Sequence, residues 1–286
     1  MDSKNTLNTL DRIKARESKL HGKKRDVAKY IIDSYREVAF LTLAELAADT
    51  GTSKATVLRL AQELGFQGYQ EMQESIQNEL KKELNTIDLY SGQQSQNKGE
   101  TILRKVFIKD LEVIEQTLEQ LDYKSFDDLT SKIIEADQIA PVATGELSFL
   151  AELLASVLRP MLSNVKAITS TSYLGYRELA TLDSNSLVIA LDIPRYSKST
   201  ISLVKTANQL DLTTVVITDS NLSPFHEYSD QLLNIAVKRV TWIDSLSGIL
   251  STLQAIATDV SIKTKTETLE KLEKVEQVWE ENDVFF

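Results

Sequence analysis

The sequence predicts two dissimilar domains in one chain. The first is an all-α helix-turn-helix domain. The second is a three-layer α/β sandwich on a five-stranded parallel sheet. Three observations lead there. Residues 42–64, TLAELAADTGTSKATVLRLAQEL, carry two apolar stripes at helical spacing, separated by Thr50-Gly51-Thr52. Residues 91–99, SGQQSQNKG, hold no apolar side chain and read as a linker. Beyond residue 137, five short apolar runs alternate with helical patterns, as in a parallel sheet covered on both faces. The expected boundaries are residues 1–84 for the helical domain, 85–100 for the linker and 101–286 for the α/β domain. With 286 residues, 42% of them hydrophobic, the chain can bury two cores.

In the first domain, residues 7–20 read as a helix with Leu7, Leu10, Ile13 and Leu20 on one face, ended by His21-Gly22. Residues 24–35 read as a second, with Val27, Ala28, Ile31 and Ile32 inward. Residues 38–41 lead into the helix-turn-helix. Its first helix turns Leu43, Leu46 and Ala47 inward, and the small Ala47 lets the next helix approach. Gly51 supplies the positive φ that closes a helix sharply. Ser53 caps the second helix, which buries Val57, Leu60, Ala61 and Leu64. That helix presents Lys54, Thr56 and Arg59 outward, where they suit a DNA groove. Thr42 and Ser53 sit at helix N-termini, whose N–H groups suit phosphate. A plain two-helix corner has the same spacing. Gly65-Phe66-Gln67-Gly68-Tyr69 then leads into a helix over residues 69–84 with Met72, Ile76 and Leu80 inside.

In the second domain, residues 101–121 and 126–135 are helical. Strands are expected over 139–143, 165–169, 187–191, 214–218 and 232–237. Helices are expected over 148–162, 173–182, 198–210, 224–229, 243–262 and 267–281. In such a sheet, ligands bind beyond the carboxyl ends of the strands. Three loops there are polar: Thr144, Gly145 and Ser148 after the first strand, Ser170 and Thr171 after the second, and Arg195 and Ser197 within residues 192–199 after the third. Arg195 offers a forked donor and Ser197 a hydroxyl, so the loops suit a small phosphorylated or acidic ligand. Ser, Thr and Gly are also ordinary turn and cap residues.

Composition narrows the chemistry. There is no cysteine, which excludes disulfides, cysteine-zinc sites and thiol catalysis. Two histidines without His-x-x-x-His spacing point to no metal site, and no cofactor is expected. His226 and Glu227 read as solvated turn residues, so no catalytic residue is expected. Trp242 and Trp279 read as packing residues. The charged N-terminus lacks a signal peptide's apolar core, and no run is long enough to span a bilayer, which fits a cytoplasmic protein. The net charge is −10, yet residues 1–60 hold 12 Lys/Arg against 8 Asp/Glu, a balance of +4, which leaves −14 for the rest. The positive part coincides with the helix-turn-helix, and its modest excess calls for a dimer on DNA.

The residues 41–47, LTLAELA, then 52–61, TSKATVLRLA, then 64–69, LGFQGY, resemble the N-terminal domain of the RpiR/MurR-type bacterial transcriptional regulators. The second domain resembles the sugar-isomerase (SIS) phosphosugar-binding module that these regulators carry. The resemblance implies a cytoplasmic homodimer or homotetramer, paired through the SIS-like domains, that regulates carbohydrate metabolism. Its partner would be a double-stranded DNA operator, and a sugar phosphate or related metabolite would set its affinity. The loops depart from the module's pattern. Residues 143–147 keep only the second glycine of Gly-x-Gly-x-Ser, with Ser148 one place late and Glu146 adding negative charge. Residues 192–197 keep only the last hydroxyl of Ser-x-Ser-Gly-x-Thr. Two other classes remain open at this stage: a sugar-phosphate isomerase, and a ligand-binding protein whose helical domain does not bind DNA.

Overall fold

The computed structural model describes residues 9–16, 20–83 and 101–284. The chain separates into two compact units, Met1–Asn97 and Lys98–Phe286. Leu7, the expected linker 85–100 and Phe285-Phe286 lie outside the described residues.

Six helices build the first unit among the described residues: α1 (Thr9–Arg16), α2 (Lys23–Asp33), α3 (Tyr35–Val38), α4 (Leu43–Asp49), α5 (Lys54–Glu63) and α6 (Tyr69–Glu83). Ile13, Val27, Ile31, Leu46, Val57, Leu60, Met72 and Ile76 are fully buried, so each helix gives its apolar stripe to one core. The helix expected over 24–35 stops early. Ser34 leaves the helical region at φ −131° and starts α3, a break serine favours because it competes for backbone hydrogen bonds outside helices. Ile32, expected inside, is only half-buried. α6 braces the approach to the helix-turn-helix. The Tyr69 hydroxyl and the Gln73 amide donate to the Leu41 carbonyl at 2.5 and 2.7 Å, and Gln77 donates to Ala39 at 2.8 Å. Burial, then the charge of Glu45, pushes the Tyr69 phenol up, so it stays a donor.

The second unit opens with α7 (Ile102–Gln120) and α8 (Tyr123–Glu135). The sheet follows: β1 (Gln138–Val142), β2 (Ser186–Leu191), β3 (Thr213–Thr218) and β4 (Gln231–Asn234), all parallel in the order β1-β2-β3-β4. Between and after the strands lie α9 (Ser148–Leu158), α10 (Tyr173–Ala180), α11 (Lys198–Gln209), α12 (Ser247–Lys263) and α13 (Lys265–Glu281). β2 is buried on both sides. Leu187, Ile189 and Leu191 meet α8, α9 and α12, whereas Val188 and Ala190 meet α10 and α11. These are the three layers.

The sheet has four strands, not the expected five. Residues 165–169 do lie parallel beside β1, bridged at Ile139↔Val165 and Val142↔Ile168. The Ile139 N–H donates to Asn164 at 2.8 Å, and the Ile168 N–H donates to Pro141 at 2.8 Å. The rung between them would need an N–H from Pro141, which proline lacks. One missing donor leaves two isolated bridges instead of a ladder. Counting this edge segment, the chain leaves β1 on one side and returns at β2 on the other. α9 and α10 cover opposite faces. The crevice beyond the ends of β1 and β2 is therefore the switch point at which doubly wound sheets hold ligands.

Two further expectations change. Residues 224–229 form no α-helix but a 3₁₀ turn, His226–Tyr228, over the buried Phe225. The helix expected from 243 begins at Ser247, because Arg239 and Asp244 close a small antiparallel bridge with an ion pair at 2.6 Å. Trp242, expected in packing, is exposed on that turn.

Candidate functional site

The helix-turn-helix is held at each helix end. Thr42 and Glu45 form a capping box on α4: the Glu45 N–H donates to the Thr42 hydroxyl at 3.3 Å, and the Thr42 N–H donates to the Glu45 carboxylate at 2.7 Å. α4 closes through Gly51 at φ +57°, with Thr52 N–H bonding back to Ala47 at 2.8 Å and Gly51 N–H to Ala48 at 3.0 Å. Ser53 caps α5, accepting from the Thr56 N–H at 3.2 Å. Gly65 closes α5 in the same manner as Gly51 closes α4.

α5 then shows a clear outer face. Lys54 and Arg59 are exposed, while Thr56 is half-buried with its hydroxyl 2.9 Å from that of Ser53. The Thr56 side chain thus reinforces the cap as well as facing outward. Ala55 and Leu58 are exposed on the same helix, Leu58 at 37%. They add an apolar strip that the sequence reading passed over. Leu58 lies outside the buried repeat of Val57, Leu60 and Ala61, and that was the available signal.

In the second unit, the structure brings Thr144 and Ser197 together across 53 residues of sequence. Their hydroxyls are 2.8 Å apart, and Thr144 also lies 2.8 Å from the Thr200 hydroxyl. Ser197 caps α11 at Thr200 N–H, 3.4 Å away. Thr171 reaches the same helix separately, its hydroxyl donating to Ser199 at 3.4 Å. Gly145 stands at φ +64° with open space where a Cβ would be, and Ser148 is half-buried at the start of α9. Ser170 does not join the cluster: its exposed hydroxyl accepts from the Ser172 N–H at 3.0 Å. The α10 residue Gly175 lies so close that a Cβ there would sit 1.8 Å from the Ser170 carbonyl oxygen.

Arg195 is exposed and follows a cis peptide bond from Pro194. Its charge and that of Glu146 both reach Asp244, whose carboxyl is pushed up mainly by burial and held back by its pair with Arg239. The sequence reading missed three features here. Asp192, at the end of β2, is 2% exposed. Its carboxylate accepts from the Ile193 N–H at 3.0 Å and the Ser197 N–H at 2.8 Å. Burial pushes it up to about 7 against these bonds. The other two are the fully buried Thr200 and the Tyr196–Asp219 pair, at 2.6 Å. Nothing local marks these residues, because their role arises from strands distant in sequence.

Comparison with known proteins bears on both units. Residues 7–83 match the helix-turn-helix domain of the rpiR family, and residues 132–259 match the SIS domain. The chain thus joins a helix-turn-helix domain of the rpiR family to a SIS domain. An uncharacterized HTH-type transcriptional regulator of Haemophilus influenzae is 27% identical over 228 residues, 79% of each chain. One from Providencia stuartii is 24% identical over 198 residues, 69% of each. Among solved structures, the Vibrio vulnificus NanR protein complexed with ManNAc-6P aligns at TM-score 0.64 and 22% identity, covering 95% of this chain and 98% of that one. The sugar isomerase domain of an RpiR transcription factor from Sphaerobacter thermophilus aligns at TM-score 0.60 and 23% identity, covering 62% and 99%. These two likenesses concern the fold. The RpiR-type match falls within the first compact unit and the SIS match within the second.

Proposed function

We propose that this chain is a sequence-specific DNA-binding transcriptional regulator of carbohydrate metabolism. A small metabolite, a sugar phosphate or a related compound, sets its affinity for a double-stranded operator. The observation that carries the reading is α5: capped at Ser53, closed at Gly65, and presenting Lys54 and Arg59 to solvent. In this reading Lys54, Thr56 and Arg59 face the groove, and Thr42 and Ser53 hold helix N-termini against phosphates. The effector occupies the crevice of Thr144, Gly145, Ser148, Thr171, Arg195 and Ser197, with Ser170 at its margin. Residues 85–100 serve as the linker.

The protein acts in the cytoplasm as a homodimer or homotetramer. Support for self-association through the second domain comes from α7. Leu103, Phe107, Leu111 and Leu118 are 69%, 63%, 66% and 59% exposed and share one stripe. A two-fold dimer presents two copies of α5 about 34 Å apart, one DNA turn. No helix among the described residues is long and apolar enough to cross a membrane. The test is a gel shift of genomic fragments by the full-length protein, repeated with Thr144→Val. The variant should retain DNA binding and lose the response to whichever sugar or sugar phosphate modulates the wild type. Failure of the wild type to retard any fragment would refute the reading, as would turnover of hexose or pentose phosphates.

A further inference from the structure

The loop after β2 is built to hold an anion, and it already holds one of its own. Asp192 is 2% exposed, and its two oxygens take the Ile193 and Ser197 N–H groups at 3.0 and 2.8 Å. The Thr200 hydroxyl bonds the same carboxylate. Thr144 links the Ser197 and Thr200 hydroxyls at 2.8 Å each. Two inward backbone donors and a set of hydroxyls are thus committed to an internal carboxylate and to one another. Backbone N–H groups gathered this way are what binds phosphate in other loops. A phosphate arriving here would find those donors taken and a carboxylate among them. Asp219 stands nearby, bonded to Tyr196 at 2.6 Å, and its charge reaches Asp192. Glu146 is exposed on the facing loop. Arg195 of the β2 loop and Lys198, the first residue of α11, are exposed.

We propose that the crevice takes an unphosphorylated, polyhydroxylated ligand, and that Asp192 is the internal anion that excludes a phosphate group. The inference rests on the crevice being the effector site and narrows the class of effector. The half-buried hydroxyls of Ser148, Thr171, Ser197 and Ser199 at the rim can each donate and accept, which suits the hydroxyls of a sugar. Tyr196 and Asp219 extend the same polar wall. Burial pushes the Asp192 carboxyl up to about 7, so above that pH it carries the full charge that repels an incoming phosphate.

The experiment uses full-length wild type, Asp192→Ser and Asp192→Asn at about pH 8, where the carboxylate is ionised. The readouts are thermal stabilisation by inorganic phosphate, which follows mass action, and amide exchange across residues 192–200. Matched probes are N-acetylmannosamine and glucosamine, each with its 6-phosphate. Phosphate should leave the wild type unmoved. It should stabilise Asp192→Ser with at least about tenfold higher affinity and slow exchange in that segment. Asp192→Asn removes the charge at constant shape and carries the test if the serine variant does not fold. Equal phosphate binding by wild type and variant at this loop overturns the proposal, as does a lack of phosphate binding in both variants. Wild type that prefers a 6-phosphate ester here overturns the exclusion alone. A sugar that modulates DNA binding yet alters exchange only outside residues 143–200 overturns the effector-site reading itself.

Discussion

Replacing Asp192 with Asn should remove a pH dependence from the stability of the second domain. The Asp192 carboxyl is raised from 3.8 to about 7 in the folded protein, mainly by burial and against bonds from Ser197 and Ile193. A group whose folded pKa is raised stabilises the fold when protonated. That contribution is complete below the unfolded value and is lost as pH climbs through the folded one. For these two values the loss between pH 5 and pH 8 is about 2–3 kcal/mol. Asn cannot ionise and lacks this term. It keeps one acceptor for the two N–H groups and turns its amide toward the other, at a cost of about 1–3 kcal/mol. The variant should therefore be the less stable protein at about pH 5 and should gain about 2–3 kcal/mol relative to wild type by about pH 8. Urea unfolding followed by tryptophan fluorescence measures this. Both tryptophans, Trp242 and Trp279, lie in the second unit, so the signal reports that domain. A stability difference that stays constant within about 0.5 kcal/mol across this range would refute the assignment of a buried, perturbed carboxylate.

Two other substitutions probe the frame of each site. Ser53→Ala removes the cap of α5 and should cost about 1 kcal/mol, seen as faster amide exchange at residues 54–57 and weaker DNA binding, with Ser53→Thr restoring both. Gly175→Ala places a Cβ 1.8 Å from the Ser170 carbonyl, so the loop or α10 must move. We expect a loss of about 1–3 kcal/mol in urea unfolding, and an unchanged midpoint would show that α10 does not fix that loop.

The reading head was the more legible half of the molecule. Its signals are local: the stripe of Val57, Leu60 and Ala61, the glycine at residue 51, and a serine one residue before a helix. Each dictates geometry within a few residues of itself. The break at Ser34 was not legible, because the apolar period runs on through it. The fifth strand was legible as an apolar run, and residues 165–169 do lie in register. Pro141 on the neighbouring strand interrupts the ladder, and no inspection of 165–169 alone would show that. The candidate crevice was half legible. The loops at strand ends announced Thr144 and Ser197 as polar, but not that they meet. Asp192 looked like one more acidic residue in a turn. Its burial, and with it its raised pKa, arises where the end of β2 meets β3 and the start of α11.

The central claim is that α5 reads DNA through its exposed cations. Its most direct measurement is fluorescence anisotropy of a genomic fragment selected by the full-length protein, titrated with wild type and with Lys54→Ala/Arg59→Ala over about 50–200 mM salt. Wild-type affinity should fall steeply with salt. The double variant should bind at least about tenfold more weakly, with a logarithmic salt slope shallower by about 1–2, while its urea unfolding stays as in wild type. An unchanged affinity and slope for the double variant would contradict the account.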